Sequence, residues 1–257
     1  MPTDITHYIG ALTLAVDGEG GRRNIEFLGT AFSLSQPYRL FMSASHVLPD
    51  HIEPPARLAI TLRQDENLHT FLIQEHEVLR GNDAVVVLRP EEGVEHMFGL
   101  APREASILED VYGIGIPDAL VERSERGMVL RLRGLHGIVT RRLEIGDQVA
   151  GKTLASPSYE IDCAIPEGMS GAPVFATSMG RDTDLVGLLG VCVGSHYSET
   201  TLWSEESEMG GLSRGMRVTQ FGLVARLFPQ YSTIIELVGL PLDVVVGPAP
   251  GRTTTSV

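Results

Sequence analysis

The stretch PEGMSGAPVF (166–175) sets a serine among glycines and follows it with a proline and an apolar run. A serine buried in a strand needs no glycine on either side. A serine in a plain surface turn needs no apolar run behind it. The combination argues for a tight backbone corner that carries an exposed hydroxyl and is anchored by a buried strand. Glycine admits the backbone angles of such a corner, which can turn successive N–H groups toward one point. A serine hydroxyl becomes a useful nucleophile only when a base takes its proton, and the oxyanion it creates needs hydrogen-bond donors. This segment offers a nucleophile, Ser170, and donors together. The plainer alternative is a surface β-turn.

Working outward, short runs rich in Val, Ile, Leu, Phe and Thr recur, separated by Gly, Pro, Asp and Asn. YIGALTLAV (8–16), IEFLGTAFSLS (25–35), YRLFMSA (38–44), ARLAITLR (56–63), HTFLIQ (69–74) and AVVVLR (84–89) form a first series. VYGIGI (111–116), GMVLRLRGLHGIVT (127–140), YEIDCAI (159–165), APVFAT (172–177), LVGLLGVCVG (185–194) and MRVTQ (216–220) form a second. Leu58, Ile60 and Leu62 fall on one face of a strand, with Arg57, Thr61 and Arg63 on the other. Many short strands with closely spaced turn signals predict an all-β barrel or sandwich. Helical spacing is convincing only in FGLVARLFPQYSTIIELV (221–238), where Pro229 breaks the stretch in two. The expected organisation is 1–110, 111–240 and a poorly ordered tail, 241–257.

A serine nucleophile needs a base. Of eight histidines, His46 stands out because small residues lead into it at the end of an apolar strand, RLFMSASHVLPD (39–50). The imidazole in turn needs an orienting carboxylate. In GNDAVVVLR (81–89), Asp83 stands at the entrance to an apolar run. It is expected to be partly buried there, and a buried carboxylate needs a partner. The alternatives are a core histidine without a role and an ordinary Asn-Asp turn.

The order His46, Asp83, Ser170 is that of chymotrypsin-like enzymes. The chain resembles a trypsin/chymotrypsin-fold serine protease of the bacterial glutamyl-endopeptidase and HtrA-like sort. LGTAFSLSQPYRLFMSASHVL (28–48) resembles the strand pair ending in that family's histidine, NDAVVVLR its aspartate motif, and PEGMSGAPVF its Gly-x-Ser-Gly-Gly-Pro-Val motif. LVGLLGVCVG resembles the strand that binds substrate backbone, and MRVTQFGLVARLF the closing strand and C-terminal helix. The resemblance spans roughly 8–230 and implies two six-stranded antiparallel β-barrels with a cleft between them. It implies peptide-bond hydrolysis through an acyl-enzyme, without metal or organic cofactor, on a protein or peptide substrate. His46 would be the base, Asp83 its orienter, Ser170 the nucleophile, and the N–H groups of Gly168 and Ser170 the oxyanion donors. Cys192, Val193 and Gly194 would pair with substrate backbone. The primary pocket would be walled by 163–168, 192–196 and 214–217; with Cys163, Ala164, Gly194 and Gly215 small or neutral, it is expected to be open. His196 or Arg217 could accept an acidic side chain. The plainer reading, which we prefer, pairs Arg217 with an acidic loop and leaves His196 exposed. Cys163 and Cys192 are read as free thiols near this pocket, a regulatory disulfide being the alternative.

The sequence also departs from the family. Ala172 replaces a second glycine, Met169 stands where trypsins carry an aspartate, and no Ile-Val-Gly-Gly start is present. Trypsin-type activation is therefore not expected; control, if any, falls to a loop, a regulatory protein partner or an assembly. The net charge is −13 and no long basic run occurs, so nucleic acid and anionic membranes are not expected partners. The acidic stretches WSEESE (203–208) and PEEGVE (90–95) read as solvated loops. The first residues lack the basic start of a secretory signal, no 18-residue apolar stretch occurs, and the cysteines lack metal-ligand spacing. These facts fit a cytoplasmic location. An α/β-hydrolase would want glycine at 172 and its Asp and His further beyond the serine. The other rival is a protease-fold binding or regulatory module whose active site is latent or unassembled.

Overall fold

Alternation along the N-terminal runs is realised as strands that close on themselves. The computed structural model describes residues 5–17, 23–35, 40–64, 67–90, 98–101, 103–124, 127–176, 186–206 and 212–238, with 199–206 and 212–216 described as backbone alone. Strands β1 (Ile9–Asp17), β2 (Arg23–Ser35), β3 (Leu40–Ala44), β4 (Arg57–Gln64), β5 (Asn67–Val78) and β6 (Val85–Pro90) form a closed barrel in the order β1-β2-β3-β6-β5-β4. Leu58, Ile60 and Leu62 point into it and are buried, while Arg57 and Arg63 stay outside. Closure removes the unpaired sheet edges that would otherwise invite association.

The chain reaches the second sheet at β7 (Phe98–Leu100), which pairs in parallel with a later strand. Then come β8 (Asp110–Gly115), the short pair β9 (Glu122–Ser124) and β10 (Gly127–Val129), β11 (Arg133–Leu143), and the two-residue strands β12 (Gln148–Val149) and β13 (Lys152–Thr153). β14 (Ser158–Ile161), β15 (Pro173–Ala176), β16 (Val186–Glu206) and β17 (Leu212–Arg226) complete the set. β15, β8, β11, β14, β17 and β16 run in that order, and β15 also pairs with β16. That pairing closes a second six-stranded antiparallel barrel, with β7 added outside the ring. The molecule is all-β with one short C-terminal helix, α1 (Tyr231–Val238).

Three expectations are corrected. The helical spacing at 221–238 holds only beyond the proline: Phe221–Arg226 continues β17, a 3-10 turn covers Phe228–Gln230, and α1 follows. Here β17 is paired on both sides, to β14 and to β16, and those two ladders override a local helical pattern. The run 127–140 is two strands interrupted at 130–132. The acidic stretch at 203–208 begins as strand, since β16 runs to Glu206; 207–208, 91–95 and the tail lie outside the described residues.

Besides a core of its own, each barrel contributes to a cluster between the two. Ile9, Phe32, Leu34, Leu40 and Met42 from the first pack with Phe175, Leu188, Val191, Ala225 and Leu227 from the second. Tyr231 and Ile234 of α1 join the same cluster. Burying such side chains contributes about 1.5–3 kcal/mol each, so the cleft between the barrels is held from beneath.

Candidate active site

β3 and β6 are neighbours in register, Ala44 opposite Val85. The segments that continue β3 and precede β6 therefore meet. The Ser45 N–H donates to the Ala84 carbonyl at 2.9 Å, and the Ser45 hydroxyl donates to the Asp83 carbonyl. A 3-10 turn, Ser45–Val47, then turns His46 out of the barrel. Across the cleft, Ser170 sits on the turn between β14 and β15. Its Oγ lies 3.0 Å from Nε2 of His46. With the ring proton on Nδ1, the hydroxyl donates and the imidazole accepts.

Just beyond Ser170 the turn is fixed to β16 by two backbone bonds. The Gly171 N–H donates to the Cys192 carbonyl at 2.8 Å, and the Cys192 N–H to the Ala172 carbonyl at 2.9 Å. Gly168 and Gly171 have φ of +85° and +91°, angles that L-residues rarely adopt. A methyl at Gly171 would also run into the Thr30 carbonyl and the Ser43 hydroxyl. Between them, Met169 is fully buried in the core of the second barrel. Where trypsins use a carboxylate, this corner is anchored by apolar burial. The N–H groups of Gly168 and Ser170 donate to no described group.

Sequence reasoning missed Thr30 of β2. Its N–H donates to the Ser170 carbonyl at 2.9 Å, and its hydroxyl donates to the Gly168 carbonyl at 3.0 Å. The same hydroxyl accepts from the Ile116 N–H at 2.9 Å, while the Ser43 hydroxyl donates to the Thr30 carbonyl at 2.7 Å. One residue of the first barrel thus grips the serine turn of the second. The local signal was only a Thr after a Gly in LGTAF, which points nowhere in particular.

Asp83 departs from expectation. It is exposed, and its carboxylate meets no described donor. The buried residue is its neighbour Asn82, at 0% exposure. The turn at Gly81 (φ +81°) aims Asn82 inward. There its Nδ2 donates to the Arg226 carbonyl at 2.8 Å, which leaves Asp83 facing out. The His46 imidazole has its pKa lowered by burial.

Cys192, Val193 and Gly194 lie on β16, where Cys192 is bonded to the serine turn. The predicted far wall does not stand opposite them. Gly215 stands opposite Trp203 and Arg217 opposite Thr200, whereas the residues opposite Cys192, Gly194, Ser195 and His196 are Val224, Leu223, Gly222 and Phe221. The long β16–β17 ladder carries Gly215 and Arg217 several residues beyond the site, and the Arg217 side chain is exposed there. His196 is not exposed either. Its Nε2 lies 2.9 Å from Glu160, with only 11% of the His196 side chain accessible, and its ring stacks on Phe221. Burial alone would raise the Glu160 carboxyl, but Arg141, Thr140 and His196 hold it below the usual range.

Both cysteines are free. Burial, aided by Asp162, pushes the Cys163 thiol up to about 11; burial pushes that of Cys192 up as well. Both are therefore protonated at neutral pH and poorly nucleophilic. Among the described residues no three His, Cys, Asp or Glu side chains gather as metal ligands, and no helix is long and apolar enough to cross a membrane.

No protein-family model matches this chain, and no curated protein matches it significantly. Solved structures do. The Rv3671c protease from M. tuberculosis, active form, superposes over 92% of this chain and 83% of its own, with a TM-score of 0.52 and 13% identity. A serine-to-alanine variant of Rv3671c in its inactive form overlaps over 91% and 88%, at a TM-score of 0.49 and 16% identity. At such identities the likeness to the active form is one of fold: this chain has the two-barrel fold of the trypsin-like serine proteases.

Proposed function

We propose that the protein is a serine endopeptidase. The observation that carries this reading is the 3.0 Å approach of the His46 imidazole to the Ser170 hydroxyl, across the cleft between two barrels. Two backbone N–H groups on the same turn, at Gly168 and Ser170, are without a described acceptor. A nucleophile, its base and unspent donors are the parts that acyl transfer requires. Ser170 Oγ attacks the scissile carbonyl and its proton passes to Nε2 of His46. The Gly168 and Ser170 N–H groups hold the oxyanion. Collapse expels the amine, which takes the proton from His46 and leaves an ester on Ser170. Water, deprotonated by the same imidazole, then releases the acid. One oxyanion donor typically contributes about 2.7–4 kcal/mol to transition-state stabilisation.

Ser170→Ala tests the reading. Cleavage of a mixed peptide pool should fall by roughly 10⁴–10⁶-fold, with circular dichroism unchanged. Turnover comparable to wild type in that variant would refute the assignment. One observation favours a second reading. The Asp83 carboxylate is not engaged, as in a latent site or a recognition module. A fluorophosphonate separates the two, since it esterifies a hydroxyl activated by its base and leaves an unactivated one intact.

A further inference from the structure

The sequence led us to expect an open primary pocket; the structure closes it. A peptide whose scissile carbonyl sits at Ser170, and whose backbone runs along Cys192–Gly194, must direct its side chain between the 163–168 segment and the middle of β16. Gly194 leaves room for that backbone, for its missing side chain would point into open space. Just beyond it, Ser195 bridges the gap. Its Oγ accepts from the Ile165 N–H at 2.7 Å and lies 3.2 Å from the Ile165 carbonyl, to which it donates. One hydroxyl thereby ties the two walls together.

The space behind this bar is filled. Ile165 is only 5% exposed. Gly222, opposite Ser195 on β17, is packed so closely that a methyl on it would lie 2.7 Å from the Cys163 carbonyl and 2.8 Å from Ile165 Cγ1. His196 is not free to serve as a cation at the rim, because it is committed to Glu160, a carboxylate already held by Arg141 and Thr140.

We propose that Ser195, backed by Ile165, is the specificity-determining bar of this site and restricts the residue before the scissile bond to a small uncharged one: glycine, alanine or serine. This rests on the reading of Ser170 as nucleophile and narrows its substrate class. A long side chain would have to break both Ser195 hydrogen bonds and displace a packed isoleucine. A small one leaves them in place.

The test uses the full chain and peptidyl phosphonates that differ only in the side chain before the phosphorus: alanine, leucine, phenylalanine, lysine and glutamate. A simple fluorophosphonate without that side chain reads Ser170 alone. The wild type should react with the alanine phosphonate at least about tenfold faster than with the others, since even one or two methylenes discriminate to that degree. In Ser195→Gly and, separately, Ile165→Ala, the leucine-to-alanine rate ratio should rise about tenfold. Fluorophosphonate labelling together with a wild-type preference for phenylalanine, lysine or glutamate would overturn the bar and leave the nucleophile standing. Failure of the fluorophosphonate itself would overturn both.

Discussion

Nε2 of His46 and Oγ of Ser170 meet from opposite barrels, and the surroundings of each make different demands. Burial disfavours the imidazolium, so the His46 pKa is lowered. The neutral ring is the form that accepts the serine proton. The acid limb of kcat/KM should therefore lie below that of an ordinary histidine: activity persists as pH falls through the usual imidazole value and is lost at the lowered one. Stability should drift the same way, decreasing as pH falls through that window, because the unfolded chain then binds the proton more readily. A pH–rate profile beside an NMR titration of His46 checks both. Asp83 is the other residue in question. Its peptide adjoins Ser45 through the Ser45 hydroxyl, one residue from the imidazole, while its carboxylate is exposed. We expect Asp83→Asn to lower kcat by about 10³–10⁴-fold, as loss of an orienting carboxylate does. A loss under about fivefold would leave the chemistry to His46 and Ser170 alone.

Among the elements, β2 is the one whose function exceeds its appearance. It is a barrel strand, yet Thr30 holds the Gly168 and Ser170 carbonyls and the Ile116 N–H. Holding the Gly168 carbonyl fixes the orientation of the peptide that follows it, on the turn that carries the free N–H groups. Thr30→Val keeps the shape and removes the hydroxyl, stranding two backbone groups. It should lower stability by about 1–3 kcal/mol. It should also reduce kcat more than KM, because oxyanion geometry matters most in the transition state. Thermal melts and steady-state kinetics together read the two effects; a stability loss with unchanged kcat would make Thr30 a structural residue only. The β16–β17 hairpin teaches a different lesson. Its sequence shows strand residues but not which of them face each other, so Gly215 and Arg217 read plausibly as pocket wall until the register placed Gly222, not Gly215, opposite Ser195.

For the whole molecule, the barrels are joined by more than the cleft. Their shared core runs from Ile9 to Ile234. Asn82 donates to the Arg226 carbonyl, Gln230 to the Gly81 carbonyl at 3.0 Å, and the Ala84 N–H to Ser156 at 3.1 Å. The turn that carries Asp83 is thus held by the second barrel and by the segment leading into α1. Within the second barrel, the buried Arg226 guanidinium pairs with the partly buried Glu104 and with the exposed Glu144. Each barrel has a core of its own, but the shared cluster ties the two together. Denaturant unfolding should therefore be a single transition, with coincident far-UV circular dichroism and fluorophosphonate reactivity and a calorimetric enthalpy equal to the van't Hoff value. Two resolved transitions would show independent barrels.

The two-barrel order was implied by a family resemblance; by itself the sequence determined the strand content, and Ser170 and His46 as a candidate pair. Those features rest on local rules: side chains alternate along a strand, and a glycine-flanked serine before an apolar run has few conformations open to it. Tertiary structure alone decided that Asn82 rather than Asp83 is buried, that β17 continues where helical spacing appears, that Thr30 grips the Ser170 turn, and that Ser195 bridges to Ile165. Each of these depends on partners far along the chain, such as Arg226 for Asn82 and Ile165 for Ser195. Such choices follow from which strands lie side by side and in what register, and no window of neighbouring residues contains that information.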